Sequence, residues 1–318
     1  MILIILMIFM MEKLKSKYIG CMLGAAIGDA LGKQNEGLKR CDILKIGYRT
    51  SYGKPQAGCP GEKLRPGQYT DDTEQMLVLA GSIIKCRRFD VQDFSNIIAQ
   101  WGKEVLADPT RKSLLGPASS QAILRLNRGV SWNEAGSDIP SCGSAMRVAP
   151  IGLFYKDMEE IESNAALSSL PTHTNKASVA GAVAVAVGVR CAIMGMEDHQ
   201  IIEESSSRAS KYDIELANKI ELSFKKRYEE PDNVFSELGT SYSVYETVPC
   251  AFYCFSRYFD SPEKVILEAV NSGGDTDSIA CIAGALCGAL HGKGLIPDRW
   301  IKGLENRETI EQIANQLL

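Results

Sequence analysis

Between Tyr18 and Gly32 the chain places glycine at positions 20, 24, 28 and 32. Residues four apart stand one above another on a helix, so this spacing lines up bare backbone patches along one face. Glycine costs a helix interior about 1 kcal/mol relative to alanine, and such a helix persists only where burial supplies what local preference lacks. The expectation is a helix packed closely against another element. Apolar residues recur at helical spacing through 72–86, 91–106, 118–128, 158–170, 175–195, 213–229, 246–258, 262–269 and 277–290. The last of these is dominated by Ala, Leu, Ile and Cys and reads as a buried helix. No fixed-period repeat, low-complexity linker or βαβ pattern interrupts the series. An all-α, compact, single-domain fold over residues 12–318 is therefore expected, with a long loop at 38–68 rich in glycine and proline.

With 45% hydrophobic and 23% charged residues over 318 positions, the chain can bury a sizeable core. A net charge of −4 offers no long-range attraction to nucleic acid, and no direct nucleic-acid role is expected. The ten cysteines are scattered and form no CxxC pair, so they read as buried free thiols in a reducing cytoplasm. Met1 to Met10 are wholly apolar, too few for an ordinary transmembrane helix and without the charged start of a signal peptide. Residues 1–11 are expected to be an apolar tail or a start-site extension, with the native start at Met10 or Met11 and no stable membrane insertion.

Two segments place acids and hydroxyls where irregular backbone enters an apolar helix. The first is Thr70-Asp71-Asp72-Thr73-Glu74, the second Gly273-Gly274-Asp275-Thr276-Asp277-Ser278. Each has a simple structural reading, since Thr70 or Asp71 can cap a helix and first-turn acids favour its exposed N–H groups. Together they permit a metal site: hard divalent ions take oxygen ligands, and converging carboxylates repel unless cations neutralise them.

The ordered set of motifs resembles the ADP-ribosylglycohydrolase family, including the dinitrogenase-reductase-activating type. The likeness runs through Gly20 to Gly32 with Gly28-Asp29, then Glu36, Thr70-Asp71-Asp72-Thr73, Gly143-Ser144-Ala145-Met146-Arg147, Thr172-His173 and Ser272 to Ser278. It implies two Mg²⁺ or Mn²⁺ ions held by Thr70, Asp71, Asp72, Asp275, Asp277 and Ser278, the last standing where family members commonly carry threonine. It implies hydrolysis at the anomeric carbon of the distal ribose of an ADP-ribosyl adduct, with an ADP-ribosylated protein or small ADP-ribose conjugate as partner. Arginine is the linkage expected first; serine-linked ADP-ribose and O-acetyl-ADP-ribose are alternatives. Glu36 is the candidate general base or orienting carboxylate, with Asp71 and Asp277 as further catalytic candidates. Asp29 reads as a cap or buried partner, with a direct catalytic role as the alternative.

Ser141, Gly143 and Ser144 offer small side chains and backbone N–H groups that either cradle an anionic phosphate or form a tight structural turn; the resemblance implies that this region holds the ADP-ribose pyrophosphate, with His173 beside it as a binding or supporting residue. Arg147 either pairs with phosphate or anchors a loop. Phe154, Tyr155, Tyr242 and Tyr245 are candidate adenine contacts that spacing does not separate. Two other readings stay open: a non-catalytic crystallin-like or ADP-ribose-binding protein, and a metalloenzyme that cleaves the pyrophosphate.

Overall fold

A computed structural model describes the chain from Ile2 to Leu318. The glycine series lies on the inner half of helix α1 (Ile2–Gly32), which runs antiparallel to α15 (Thr276–His291). A methyl placed on Gly20 would strike the Gly288 backbone, on Gly24 that of Gly284, on Gly28 that of Ala280 and on Gly32 that of Thr276. Gly284 and Gly288 answer in kind, since a methyl there would meet the carbonyls of Gly24 and Gly20. Each four-residue step along α1 is thus matched by a step back along α15. The two helices touch backbone to backbone, an approach that side chains at these positions would prevent.

Around this pair the core is built from α3 (Asp71–Cys86), α7 (Ala149–Phe154), α9 (Lys176–Met194), α13 (Val244–Arg257) and α14 (Pro262–Val270). Helix α9 is long and apolar enough to span a bilayer, yet 89% of its apolar window is buried within the protein. It packs on α15 and is flanked by α7, α8 (Met158–Ser169) and α10 (Asp198–Ala209). A helix apolar all round belongs in such a centre. Helices α4 (Val91–Ala107) and α5 (Pro117–Asn127) stack outside α3, with α6 (Trp132–Ala135) below them. Helices α11 (Ile214–Lys225) and α12 (Pro231–Leu238) border α13, and α16 (Asp298–Gly303) and α17 (Arg307–Gln316) pack on α1.

The long loop expected at 38–68 contains a short helix, α2 (Arg40–Ile46). Between Gly136 and Pro150 the chain forms a 3₁₀ turn at Cys142–Ser144 and the start of α7. Neither was legible, because a turn or two of helix buries too few residues to establish a period. All ten cysteines are free, seven of them buried. Among the described residues there is no strand, only isolated bridges joining Ser137 to His173 and Ser141 to Ser243.

Candidate active site

The α1/α15 register sets the first half of the site. Thr276 Oγ1 donates to the Gly32 carbonyl at 2.8 Å, so α1 ends where α15 begins. A 3₁₀ turn, Lys33–Asn35, carries the chain to Glu36. Reciprocal backbone bonds, Gly37 N to Gly274 O and Gly274 N to Leu38 O, each 2.8 Å, pin that turn to the loop before α15. Gly274 has φ of +70°, and a side chain there would collide with the Thr240 carbonyl. Only glycine meets both demands.

Asp29, one residue past Gly28, sets the second half. Its carboxylate accepts from the Thr70 and Thr73 N–H groups at 3.0 Å and from Thr73 Oγ1 at 2.6 Å. It is thus the buried partner that fixes the start of α3 from a neighbouring helix. Thr70 also caps α3 itself, accepting from Asp72 N at 3.2 Å. The capping reading of this segment holds, and it leaves Asp71 and Asp72 turned toward the loop before α15.

Asp71, Asp72, Asp275, Asp277, Ser278 and Glu36 all line one cleft of about 230 Å³. Oxygens of Glu36, Asp275 and Asp277 lie within 4.8 Å of one another. Asp275 accepts from Cys142 Sγ and Thr247 Oγ1, both at 3.2 Å, while Asp71 accepts from Gln75 Nε2 at 2.8 Å. Asp72 Oδ2 is buried with no partner. Burial first, then the charge of Asp277, raises the carboxyls of Asp29 and Asp275 to about 7. Asp71 and Asp72 are raised as well, chiefly by burial. An orphaned buried oxygen among crowded carboxylates is what a divalent cation would satisfy, and the all-oxygen donor set suits Mg²⁺ or Mn²⁺. Lys33 forms an ion pair with Glu36 beneath this cluster.

Across the cleft, Ser141, Cys142 and Gly143 present small residues beside His173. A buried polar chain joins this wall to the acidic one. Arg147 donates to Gln75 Oε1 at 2.7 Å and to Thr172 Oγ1 at 2.7 Å; Thr172 Oγ1 lies 2.8 Å from His173 Nδ1; His173 Nε2 lies 3.1 Å from Ser141 Oγ. Thr172 receives from Arg147, and its own proton has a better acceptor in Nδ1 than in the Ser169 carbonyl at 3.4 Å. That assigns the Nε2–H tautomer. Burial, then the Arg147 charge, lowers His173 to about 3, so the imidazole stays neutral. With Ser141 Oγ accepting from Nε2, its own proton is free to donate into the cleft.

Ser144, Thr70 and Arg147 are each committed to structural contacts. The Ser144 hydroxyl donates to the Ser178 carbonyl at 2.9 Å and is absent from the cleft wall, so it holds the cradle onto α9. Thr70 is also off the wall, with one lone pair of its Oγ1 engaged by the cap. Arg147 is fully buried and anchors a loop, through the Gln75 amide, the Ser168 carbonyl and the Thr172 hydroxyl. Of the four aromatic candidates only Tyr242 reaches the cleft, at 56% exposure. Tyr245 is bonded to Asp213, Tyr155 to Phe89 N, and Phe154 packs edge-on to Tyr155. Cys142, Met146, Ser119 and the segment 114–117 line the cleft without having been singled out. Met146 lies inside the Gly143 to Arg147 motif and Cys142 adjoins it; nothing in residue type or spacing marked the others. Pro60 and Ser113 also line a neighbouring groove of about 360 Å³ between 58–63 and 109–113.

An all-α body thus carries an acidic, cation-suited cleft facing a polar cradle. The family model of ADP-ribosylglycohydrolase matches residues 10–318, and the chain belongs to that family. It is 41% identical to an uncharacterized protein of Archaeoglobus fulgidus, over 96% of each chain. It is 29% identical to human ADP-ribosylhydrolase ARH3, over 95% of this chain and 93% of that one. A solved structure of an ADP-ribosylglycohydrolase-related protein complex superposes with a TM-score of 0.80 at 28% identity, covering 96% of this chain and 98% of its own. The protein is thus a hydrolase of the ADP-ribosylglycohydrolase family.

Proposed function

We propose that the cleft hydrolyses the glycosidic bond between ADP-ribose and a modified protein side chain, with two Mg²⁺ or Mn²⁺ ions bound. The convergence of both acidic helix starts with Glu36, opposite the Ser141–Gly143 cradle, carries this reading. Asp71, Asp72, Asp275 and Asp277, with the Ser278 hydroxyl, would hold the ions; Thr70 would contribute its remaining lone pair. Bound ions would orient the ribose hydroxyls and stabilise developing negative charge. Glu36 takes a proton from the attacking water, or orients that water, at the anomeric carbon. Ser141 Oγ–H and the Gly143 backbone hold the pyrophosphate, and His173 fixes the serine rotamer. Tyr242 offers its face to the adenine.

Arginine is the first linkage, on the strength of the motif set. An oxygen-linked adduct, serine or O-acetyl-ADP-ribose, is the second reading, favoured by the Lys33 ammonium beside Glu36, where a guanidinium leaving group would meet like charge. The test is turnover on arginine- and serine-linked ADP-ribosyl peptides and O-acetyl-ADP-ribose, with and without Mg²⁺ or Mn²⁺, products identified by mass. Metal-dependent release of intact ADP-ribose is expected. Release of AMP would indicate pyrophosphate cleavage, and tight ADP-ribose binding without turnover would indicate a binding protein. The protein is expected to work in the cytoplasm, where fractionation of cells would find it.

A further inference from the structure

Lys33 is a charged group at the cleft that the ligand set above leaves unused. Its side chain is only 3% exposed, and an ammonium is not kept that far from water without counter-charge. It pairs with Glu36, and its Nζ lies 3.5 Å from Asp277 Oδ2. Gly61, at φ of +76°, lies against the lysine stem at Cε with Leu114 beside it. Packing on that side as well as charge on the other therefore aims the ammonium at the carboxylates. No lysine or arginine lines the cleft wall itself, and Arg147 is committed to Gln75, Ser168 and Thr172.

We propose that Lys33 is a tethered cation of the metal centre, which holds Glu36 against Asp277 and sets how tightly divalent ions bind. The proposal rests on the metal-dependent reading above. Asp71, Asp72, Asp275, Asp277 and Glu36 bring five carboxylates to the cleft, and one ammonium leaves a charge that two divalent ions cancel. Removing the ammonium has two opposed effects. Without metal, the carboxylates lose their nearest counter-charge and repel more strongly. With metal, the incoming ions no longer meet a positive charge a few ångströms away.

The experiment compares Lys33→Met, which keeps the stem, and Lys33→Arg, which keeps the charge, with the unmodified full-length protein. Thermal unfolding in chelator and calorimetric titration with Mn²⁺ are the readouts. Lys33→Met is expected to melt lower without metal and to bind Mn²⁺ at least about tenfold more tightly, a shift that loss of packing alone would not produce. Lys33→Arg is expected to bind within about threefold of the unmodified protein, charge being the cause. Unchanged or weaker Mn²⁺ binding by Lys33→Met would overturn the proposal, as would an arginine variant as tight as the methionine one. If Lys33→Met folds only when Mn²⁺ is supplied, the divalent ion is replacing the lost cation, in support; failure to fold even then counts against it. Absence of Mn²⁺ binding by the unmodified protein would sink the metal-dependent reading itself, an outcome separate from an unshifted variant.

Discussion

Asp29 devotes its carboxylate to the Thr70 and Thr73 donors, yet it sits fully buried near Asp277 and is raised to about 7 by burial first and that charge second. Asp275 reaches about 7 for the same two reasons, and burial raises Asp71 and Asp72 also. A raised folded-state value means that the folded protein keeps protons the unfolded chain has already released. Metal-free stability from these groups is therefore present near pH 4 and is lost as pH rises through about 7. His173 works in the opposite sense: burial lowers it to about 3, so its contribution is lost as pH falls below about 6.5. Four carboxylates outweigh one imidazole. In chelator the protein should melt higher near pH 5 than near pH 8, about the window these shifts define; a scanning-calorimetry series showing the reverse order would reject the acidic-cluster account. At Glu36 the expectation is kinetic. Glu36→Gln should keep fold and metal binding and lose about 10²–10⁴-fold in turnover, and near-normal rates in the same assay would remove it from the chemistry. Residue types and spacing pointed to the aspartates, and the family resemblance to Glu36. They did not separate Ser141 from Ser144, because which hydroxyl faces the cleft depends on one 3₁₀ turn, Cys142–Ser144, and its contact with Ser178.

Among the elements, the α1/α15 pair governs the rest. Its glycines were visible in α1 as a row, and α15 was visible as a buried helix. That Gly284 and Gly288 form the matching row was not read, since two rows become complementary only once the helices are antiparallel and in register. Gly24→Val should cost about 3 kcal/mol or more, because the neighbour is backbone and cannot rotate away. Thermal unfolding would show the loss, and a melt within a degree or so of normal would mean that the helices can part cheaply. The same substitution at Gly81 of α3, where an added methyl meets nothing within 4 Å, is the control. The capping and metal readings of the α3 start had seemed alternatives. They coexist because Thr70 caps while Asp29 braces the turn from outside.

At the scale of the whole molecule, the fold supports a cleft whose two walls come from distant stretches of chain, joined through Asp71, Gln75, Arg147, Thr172, His173 and Ser141. If the acidic wall binds cations only when folded, Mn²⁺ should stabilise the protein by mass action, by about 2.7 kcal/mol per site at a hundredfold excess over Kd. The paired variant Asp275→Asn, Asp277→Asn should lose that gain while melting higher than the unmodified protein in chelator, since two crowded carboxylates are gone. An undiminished Mn²⁺-induced shift in the paired variant would place the ions elsewhere.

The sequence by itself determined that the chain is helical, because apolar period and glycine spacing are local properties. It also determined which acids enter helices through flexible backbone, and the order of motifs that ties them to a family. Tertiary structure alone decided which of those side chains share a volume. Helix starts some two hundred residues apart meet only because bare backbone on α1 and α15 admits one close register, and that register carries Asp29 to α3, Glu36 to Asp277, and Lys33 beneath both.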